Sequence, residues 1–377
     1  MKTILVLSFS PITIDPRVMR QVHLLGGSYQ LVVAGYGDSP PGSGSFVRLE
    51  KSPVSLARKA LWALKLLAGL HESYYWGLPQ IQHAKKLLQA ERFDLVIAND
   101  LPALPVALRL AGNIPVLFDA HEYSPREYEN SVLWRLLFQR YNQSMCLRYL
   151  PKAAGMSTVC QGIANEYAAK FGVRPFVVHN APVLQPLVPS RVDEGHIRLV
   201  HHGVASRARQ LESMIDMMAF LDERFTLDFM LMESEPGYMK FLVQRAKADR
   251  RIRFISPVAM PDICRTINVY DVGVFLLRPD NFNYQHALPN KFFEFVQGRL
   301  AVAIGPSPEM KALVERHRCG VVAASFEPRD LARALQSLNA DDVRRLKAAA
   351  HAAAPELSFE RDGRRLLAAI DSLLVAR

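Results

Sequence analysis

Short apolar runs alternate with helical patterns along almost the whole chain, and this alternation limits the possible folds more than any other feature. In the first half the runs are KTILVLS, QLVVAGY, DLVIAND, PVLFDAHE, GMSTVC and PFVVHN; in the second they are IRLVHHG, TLDFMLM, IRFISP, VGVFLLR, AVAIG and GVVAA. Helical patterns lie between most of them, for example over residues 15–25 and 103–111. Because the runs are continuously apolar, both faces of each strand should be covered. This predicts an α/β chain with doubly wound parallel sheets.

The alternation pauses over residues 181–196, APVLQPLVPSRVDEGH, a stretch with three prolines and no periodicity that is typical of a linker. We therefore expect two Rossmann-like domains facing a cleft, over residues 1–185 and 186–355. No strand follows the last helical pattern, so residues 356–377 are expected to cross back to the first domain. Ligands of open parallel sheets bind beyond the carboxyl ends of the strands, and candidate site residues should lie there.

Composition and length exclude several classes of protein. Half of the 377 residues are apolar and 22% are charged, as in ordinary globular proteins. No apolar run reaches the roughly 18 residues that a membrane-spanning helix needs, and the apolar start of the chain is too short and too soon followed by charges to be a signal peptide. Four widely spaced cysteines form no metal-binding pattern and suit a reducing cytoplasm.

The positive charge is concentrated in the first domain. Residues 1–185 contain 19 Lys and Arg against 12 Asp and Glu, a balance of +7, whereas residues 186–377 contain 27 against 24, a balance of +3. No basic tract with interleaved aromatic residues supports a nucleic-acid partner. No G-x-G-x-x-G follows the first strand either, which disfavours a dinucleotide-dependent dehydrogenase.

Two polar segments of the first domain follow predicted strands. SFSPITIDPR places Ser10 in a loop, Asp15 at a helix N-cap and Arg17 in the first turn, and this segment is a candidate wall of the cleft that takes the acceptor. FDAHEY places Asp119, His121 and Glu122 just past a buried strand, where they are candidates for acid–base chemistry or acceptor contacts. For the first segment the alternative is an ordinary strand-to-helix turn, and for the second it is a solvated polar turn.

The second domain opens with LVHHGVASRARQLE, in which a strand leads to Gly203 and then to Arg207 and Arg209 before a helix. Free N–H groups at the start of a helix, together with two arginines, make a diphosphate site plausible. The alternative is a solvated basic turn.

The segment HALPNKFFEFVQG contains a lysine in an unfavourable place. Pro289 fits the first helical position, so Lys291 would lie in the first turn, beside the positive end of the helix dipole. A bound phosphate would turn that unfavourable contact into a favourable one. Glu294 lies on the same helix face and could accept hydrogen bonds from ribose hydroxyls. Alternatively, Lys291 and Glu294 form an exposed ion pair.

Several blocks of the sequence resemble glycosyltransferase family 4, which has the GT-B fold. They are DPRVMRQVHLL, FDLVIANDLPALPVALRLA, IPVLFDAHEYSPREY and LPNKFFEFVQGRLAVAIGPSPEMKALVERHRCGVV, in the order and spacing of the family. The resemblance implies that Glu294 binds the donor ribose, that Arg209, assisted by Arg207, binds the diphosphate, and that His121 is the active-site histidine. It further implies donor contacts from Pro289, Asn290 and Lys291, and a loop at Ser256–Met260, including Val258, that clasps the base. His286 departs from the family, which often has a glutamate there, and Ser256 stands where glycine is common.

The resemblance implies a retaining transferase that moves a sugar from a nucleoside diphosphate sugar, UDP- or GDP-linked, to a glycan or lipid-linked acceptor in bacterial polysaccharide biosynthesis. No Asp-x-Asp triplet lies at a plausible diphosphate site, so fixed cations could replace a metal ion, and we expect no cofactor. A non-catalytic nucleotide-sugar-binding subunit and a GT-B sugar-nucleotide epimerase are the alternatives.

Two helical segments of the first domain are both apolar and basic. In residues 55–70, Leu56, Ala60, Leu64 and Leu67 share one side of a helical wheel, and Arg58, Lys59, Trp62 and Lys65 share the other. Residues 132–150 have a similar character. Together with the charge of +7, this favours peripheral contact with the anionic inner face of the cell membrane. The alternative is that both helices pack on the sheet.

Overall fold

A computed structural model describes residues 1–375, and the last two residues of the predicted carboxyl-terminal helix lie outside the described part. The chain divides into two compact units. The first contains residues 1–179, residues 281–283 and the carboxyl-terminal segment from residue 362; the second contains residues 180–280 and 284–361. Sequence analysis places the main boundary slightly later, at residue 185, inside an irregular segment.

The first unit is built on a seven-stranded parallel sheet in the order β3-β2-β1-β4-β5-β6-β7. Its strands are β1 (Thr3–Pro11), β2 (Gln30–Tyr36), β3 (Ser45–Arg48), β4 (Leu95–Asn99), β5 (Val116–Ala120), β6 (Gly155–Thr158) and β7 (Phe176–Val177). Sequence analysis missed β3, because this four-residue edge strand, SFVR, contains no apolar run.

Helices connect these strands and cover the sheet. They are α1 (Pro16–Leu25), α2 (Leu56–Leu67), α3 (His71–Trp76), α4 (Pro79–Leu88), α5 (Leu104–Ala111), α6 (Val132–Trp134), α7 (Arg140–Tyr149) and α8 (Gln161–Phe171), with a π-helical stretch at Arg135–Gln139. Asp15 caps α1 as predicted, since its carboxylate accepts from the N–H groups of Arg17 and Val18. A core of aliphatic side chains from β1, β2 and α1 lies on one face of the sheet.

The second unit contains a six-stranded parallel sheet in the order β10-β9-β8-β11-β12-β13. Its strands are β8 (Ile197–Ala205), β9 (Phe225–Glu233), β10 (Ile252–Ile255), β11 (Val272–Phe275), β12 (Ala301–Ile304) and β13 (Gly320–Val322). The helices after β8 are α9 (Glu212–Met218), α10 (Tyr238–Ala246), α11 (Ile263–Ile267), α12 (Phe282–Gln285), α13 (Asn290–Gln297), α14 (Pro308–His317), α15 (Pro328–Gln336) and α16 (Ala340–Ala353), followed by α17 (Phe359–Val375). Helix α12 begins in residues 281–283, which belong to the first unit. From residue 362 onward α17 belongs to the first unit, which confirms that the chain crosses back.

Both sheets show the strand order 3-2-1-4-5-6 of doubly wound nucleotide-binding folds. In that order the chain reverses direction across the sheet between the first and fourth strands, and ligands bind at the carboxyl ends there. These positions are the ends of β1 and β4 in the first unit and the ends of β8 and β11 in the second. The prediction of two Rossmann-like α/β domains is confirmed.

Helix α13 starts one residue later than predicted. Pro289 has an extended conformation and acts as the N-cap, so Asn290 takes the first helical position. Lys291 still lies in the first turn, as the sequence indicates.

The described part of the chain, residues 1–375, contains no helix that is long and apolar enough to cross a membrane.

Candidate active site

The ends of two neighbouring strands hold His121 in the first unit. Its Nδ1 lies 3.1 Å from Oδ2 of Asp100, and its Nε2 lies 3.1 Å from Oδ1 of Asn99. The backbone N–H of His121 also donates to Oδ1 of Asp100, at 2.9 Å. Asn99 is the last residue of β4 and His121 follows β5, so the parallel sheet itself brings these groups together.

Asp119 lies beneath this histidine and is only 2% exposed. It accepts hydrogen bonds from Nε and Nη2 of Arg17 at 2.7 and 2.6 Å, from Gln21 at 2.6 Å and from Ser157 at 2.7 Å. Burial would raise the pKa of Asp119, but the charge and hydrogen bonds of Arg17 outweigh burial and hold the pKa at about 2. Arg17 is equally buried, so this pair supports the site from below.

A chain of side-chain amides connects Asp119 to His121. Gln21 donates from Nε2 to Asp119, so its Oε1 is left to accept from Nδ2 of Asn99, at 3.1 Å. The Oδ1 of Asn99 must then face Nε2 of His121. The imidazole therefore meets an acceptor at each nitrogen and is arranged to donate hydrogen bonds.

The other candidates of the first unit lie on neighbouring loops. The hydroxyl of Ser10 donates to Asp15 at 2.7 Å and pairs with the hydroxyl of Ser8 at 2.8 Å. Asp15 is thus occupied by capping α1 and by Ser10. Glu122 has an exposed side chain, and its backbone carbonyl accepts from the hydroxyl of Tyr167 at 3.0 Å.

Two cationic groups converge on the backbone of Gly203 in the second unit. A Cβ atom at this position would lie 3.2 Å from Nζ of Lys291 and 3.7 Å from Nη1 of Arg209. Gly203 has a φ of +131°, a conformation that side-chain-bearing residues rarely adopt. It lies near the end of β8, at the switch point of this sheet. Two cations beside open backbone form a suitable site for a diphosphate.

Lys291 is buried, with 5% of its surface exposed. Its Nζ lies 3.2 Å from Nε2 of His201 and 4.4 Å above the ring of Phe275. Burial, and then the charge of Arg209, lower the pKa of Lys291 well below its usual value, although Glu294 opposes this. An anion bound here would favour the charged ammonium group and relieve the repulsion between the cations.

Two consecutive histidines of β8 complete the cluster. His201 places Nδ1 2.8 Å from the carbonyl oxygen of Val274 in β11. Nε2 of His202 lies 3.5 Å from Oε2 of Glu294, which is itself buried. Burial and the charge of Lys291 lower the pKa of His202 to about 3, so its ring is neutral at pH 7.

Two other predicted donor residues, Arg207 and His286, have partners outside this cluster. Arg207 is exposed, stacks over the ring of Tyr238 at 5.0 Å and lies 3.9 Å from Glu235. Its guanidinium is thus engaged with the start of α10 and the loop before it, and the structure does not place it beside Lys291 as it places Arg209. Nδ1 of His286 lies 3.1 Å from Oε1 of Glu309 in α14.

Pro289 and Asn290 form the start of α13, two residues and one residue before Lys291. Val258 is half-buried in the irregular segment after β10, before a 3-10 turn at Met260–Asp262. The base-binding role of this loop stays a prediction.

Sequence analysis missed the residues that hold the predicted ones in place. They are Gln21, Asn99, Asp100, His201, His202 and Phe275. A signal was present for four of them, because polar residues interrupt or end otherwise apolar strands in VIAND and LVHHG. Gln21 and Phe275 have no such signal, since each looks like an ordinary residue of its helix or strand.

Comparison with known proteins finds a family likeness in part of the chain. Residues 42–182 match the sequence model described as Glycosyltransferase Family 4. The likeness to this family thus lies in residues 42–182. By sequence, no curated protein matches the chain.

Several solved structures resemble the chain over nearly its whole length. Sucrose-phosphate synthase from Thermosynechococcus elongatus superposes with a TM-score of 0.78 at 13% identity, over 100% of both chains. HepE from Anabaena, solved with UDP-glucose, gives 0.73 at 15% identity, over 99% of this chain and 100% of the other. WaaG, a glycosyltransferase involved in lipopolysaccharide biosynthesis, gives 0.66 at 13% identity, over 97% and 98%. The two parallel sheets thus form the GT-B fold.

Proposed function

We propose that this glycosyltransferase moves a sugar, with retention of configuration, from a nucleoside diphosphate sugar to a glycan or lipid-linked acceptor in bacterial polysaccharide biosynthesis. The observation that carries the proposal is the convergence of Lys291 and Arg209 on Gly203. Support also comes from two structural neighbours, HepE with UDP-glucose and WaaG from lipopolysaccharide biosynthesis.

The donor would place its diphosphate over Gly203. As the bond between the sugar and the diphosphate breaks, negative charge grows on the leaving group, and Lys291 and Arg209 stabilise that charge. The amino-terminal end of α13 adds its free N–H groups. Glu294, buried beside His202, would accept hydrogen bonds from the ribose hydroxyls.

Retention of configuration, which the resemblance to the family implies, requires either a double displacement or a same-face attack. A double displacement needs a free carboxylate nucleophile, and Asp119 is occupied by Arg17, Gln21 and Ser157. We therefore propose a same-face attack. The acceptor oxygen bonds to the anomeric carbon as the bond to the diphosphate breaks, and the acceptor proton passes to a leaving phosphate oxygen. His121 would contribute by exchanging one of its present partners, Oδ1 of Asn99 or the carboxylate of Asp100, for a substrate oxygen to which it donates.

A second part of the proposal concerns the acceptor surface of the first unit. Leu56 and Leu64 of α2 are 84% and 63% exposed, and Leu67 of the same face is also exposed. The structure therefore leaves this apolar side of α2 unpacked. Val132, Leu133 and Leu136, on the neighbouring segment, are exposed as well.

Basic residues border these leucines, and Arg58 and Lys59 are exposed on α2. Apolar side chains flanked by cations fit an anionic bilayer, into which the leucines insert while the cations meet the headgroups. We propose that this surface contacts the inner face of the membrane and so reaches a lipid-linked acceptor.

Liposome flotation tests the membrane contact. Anionic vesicles should recover more protein than neutral ones, and a Leu56→Ser/Leu64→Ser variant should lose most of that recovery. An exposed substitution elsewhere, Val243→Ser on α10, serves as the control. Equal recovery with both vesicle types would overturn this part of the proposal. So would analytical ultracentrifugation that shows a dimer for the wild type and a monomer for the leucine variant.

The donor is tested by thermal unfolding with UDP, GDP, TDP and ADP. A ligand of the folded state raises the unfolding temperature by mass action, so one or two of the four should stabilise the protein. Incubation with the matching nucleotide sugars should release nucleoside diphosphate only when an acceptor glycan is added. A changed sugar nucleotide without acceptor would indicate an epimerase, and binding without any turnover would indicate a non-catalytic subunit.

A further inference from the structure

Lys291 has a long, flexible side chain, yet its function in the proposed site requires Nζ to stay above Gly203. The stem alone cannot fix an ammonium group, because a lysine side chain has four rotatable bonds and freely turning donors. Nζ has a hydrogen-bonding neighbour in the core, Nε2 of His201 at 3.2 Å.

The hydrogen-bond pattern of His201 determines what this neighbour offers. Nδ1 lies 2.8 Å from the carbonyl oxygen of Val274, which can only accept, so Nδ1 carries the proton. The ladder between β8 and β11 pairs Leu199 with Val272 and Val200 with Gly273, and the His201 ring reaches Val274 directly beyond it. Nε2 therefore has a free lone pair, and Lys291, which can only donate, supplies the hydrogen.

Two aromatic rings hold the imidazole in place. His201 is fully buried, stacks on Phe275 at 5.8 Å between ring centroids, and meets Phe229 at 5.9 Å. Phe275 also lies under Nζ of Lys291, at 4.4 Å. His201 and Phe275 thus form two walls of the pocket around the ammonium group.

The charges around His201 keep it an acceptor. Burial and the charge of Lys291 lower the pKa of His201 well below 6.5, with smaller contributions in the same direction from His202 and Arg209, whereas its bond to Val274 acts in the opposite direction. A protonated ring would place a third cation beside Lys291 and Arg209. The neutral ring avoids that repulsion and keeps the lone pair on Nε2 that faces Lys291.

We propose that His201 is a positioning residue of the diphosphate site: its Nε2 accepts a hydrogen bond from Lys291 and so holds the ammonium group above Gly203. This rests on the proposed function, since it assigns Lys291 to the donor diphosphate. His201 does not touch the substrate, and its effect passes entirely through Lys291.

A comparison of nucleoside diphosphate binding with nucleoside monophosphate binding separates this positioning role from a general role in folding. His201→Phe keeps an aromatic ring but removes the acceptor, and His201→Gln restores an acceptor near Nε2. The matched control is His196→Phe, which removes the histidine directly before β8, where it bonds Thr226. Calorimetric titration uses whichever of UDP, GDP, TDP and ADP binds the wild type, together with its monophosphate.

His201→Phe should weaken binding of the diphosphate about tenfold, the scale of one lost charged hydrogen bond, and binding of the monophosphate much less. His201→Gln should recover most of the difference, and His196→Phe should bind like the wild type. Equal loss for both nucleotides, or no loss, would overturn the inference. Wild-type protein that binds none of the four diphosphates would instead overturn the proposed function.

A measurement on the wild-type protein covers the case in which the Phe variant does not fold. ¹⁵N NMR of the His201 ring should show a proton on Nδ1 and none on Nε2 across neutral pH. A proton on Nε2 would exclude a hydrogen bond from Lys291 and overturn the inference without any variant.

Discussion

The ammonium group of Lys291 lies so close to the backbone of Gly203 that a single added carbon would meet it at 3.2 Å. Both residues belong to the second unit, and 88 positions of sequence separate them (291 − 203). The strand order of the sheet accounts for their meeting, since β8 lies at the switch point of the fold.

Gly203→Ala should therefore remove the diphosphate site. The new methyl group would occupy the space of the bound phosphate, and the φ of +131° adds strain of about 1–3 kcal/mol. Turnover should fall at least 10²-fold, as when one transition-state contact is lost. Gly195→Ala is the control, because its Cβ would approach only Asp193, at 3.8 Å. Wild-type turnover in Gly203→Ala would contradict the placement of the donor.

Lys291→Met should lower turnover by about 10²–10³ while stabilising the ligand-free protein. The folded state lowers the pKa of Lys291, so the folded protein binds fewer protons there than the unfolded chain. The cost of burying the charged Lys291 destabilises the fold most at pH values below the lowered pKa. This cost disappears as the pH rises towards 10.5, the usual pKa of lysine. Urea unfolding at pH 7 and pH 9.5 should show a gain for Lys291→Met that shrinks with rising pH. A less stable variant, or full activity, would contradict this account.

Arg17→Met should destabilise the first unit by about 3–5 kcal/mol, because it leaves the buried carboxylate of Asp119 without its main partner. The pKa of Asp119 is about 2, below its usual 3.8, so the stability from its charge is present above pH 4 and lost as the pH falls through 4 to 2. The free energy of unfolding, measured by urea at several pH values, should therefore fall between pH 4 and pH 2 in the wild type and much less in Arg17→Met. Asp38→Asn is the control, since it breaks a solvent-exposed pair with Arg48 and should cost about 1 kcal/mol or less.

Asn99→Leu should impair catalysis without affecting donor binding. It removes the acceptor that faces Nε2 of His121, and misplacement of a catalytic group can cost about 10²-fold in rate. Because Asn99 lies in the first unit, the affinity for nucleoside diphosphate should stay within twofold of the wild type, about 0.4 kcal/mol. Asn165→Ala, which breaks an exposed bond to Gln161, provides the control. A parallel loss of turnover and diphosphate affinity would count against separate roles for the two units.

The fold could be predicted largely from the sequence, because continuous apolar runs report directly on strands buried on both faces. All the strands so predicted are present, and β3 escaped because an edge strand of four residues needs no apolar run. The start of α13 was misplaced by one residue for a local reason, since proline suits both the N-cap and the first turn.

The site could be predicted only where a residue looked wrong in its local setting. Lys291 stood out because a cation in a first helical turn is unfavourable unless an anion binds there. The structure places Arg209 beside it, as a site for an anion would need. The partners that position these groups could not be found in this way. Gln21 reaches Asp119 only because α1 packs on the sheet, and Phe275 lies under Lys291 only because β11 pairs with β8. Such contacts depend on tertiary packing, which no local pattern encodes.

A crystal structure with a bound nucleoside diphosphate sugar tests the central proposal most directly. The proposal predicts the diphosphate over the Cα atom of Gly203, with Nζ of Lys291 and the guanidinium of Arg209 within hydrogen-bond distance of its oxygens. A diphosphate bound elsewhere, with both side chains turned towards solvent, would contradict it.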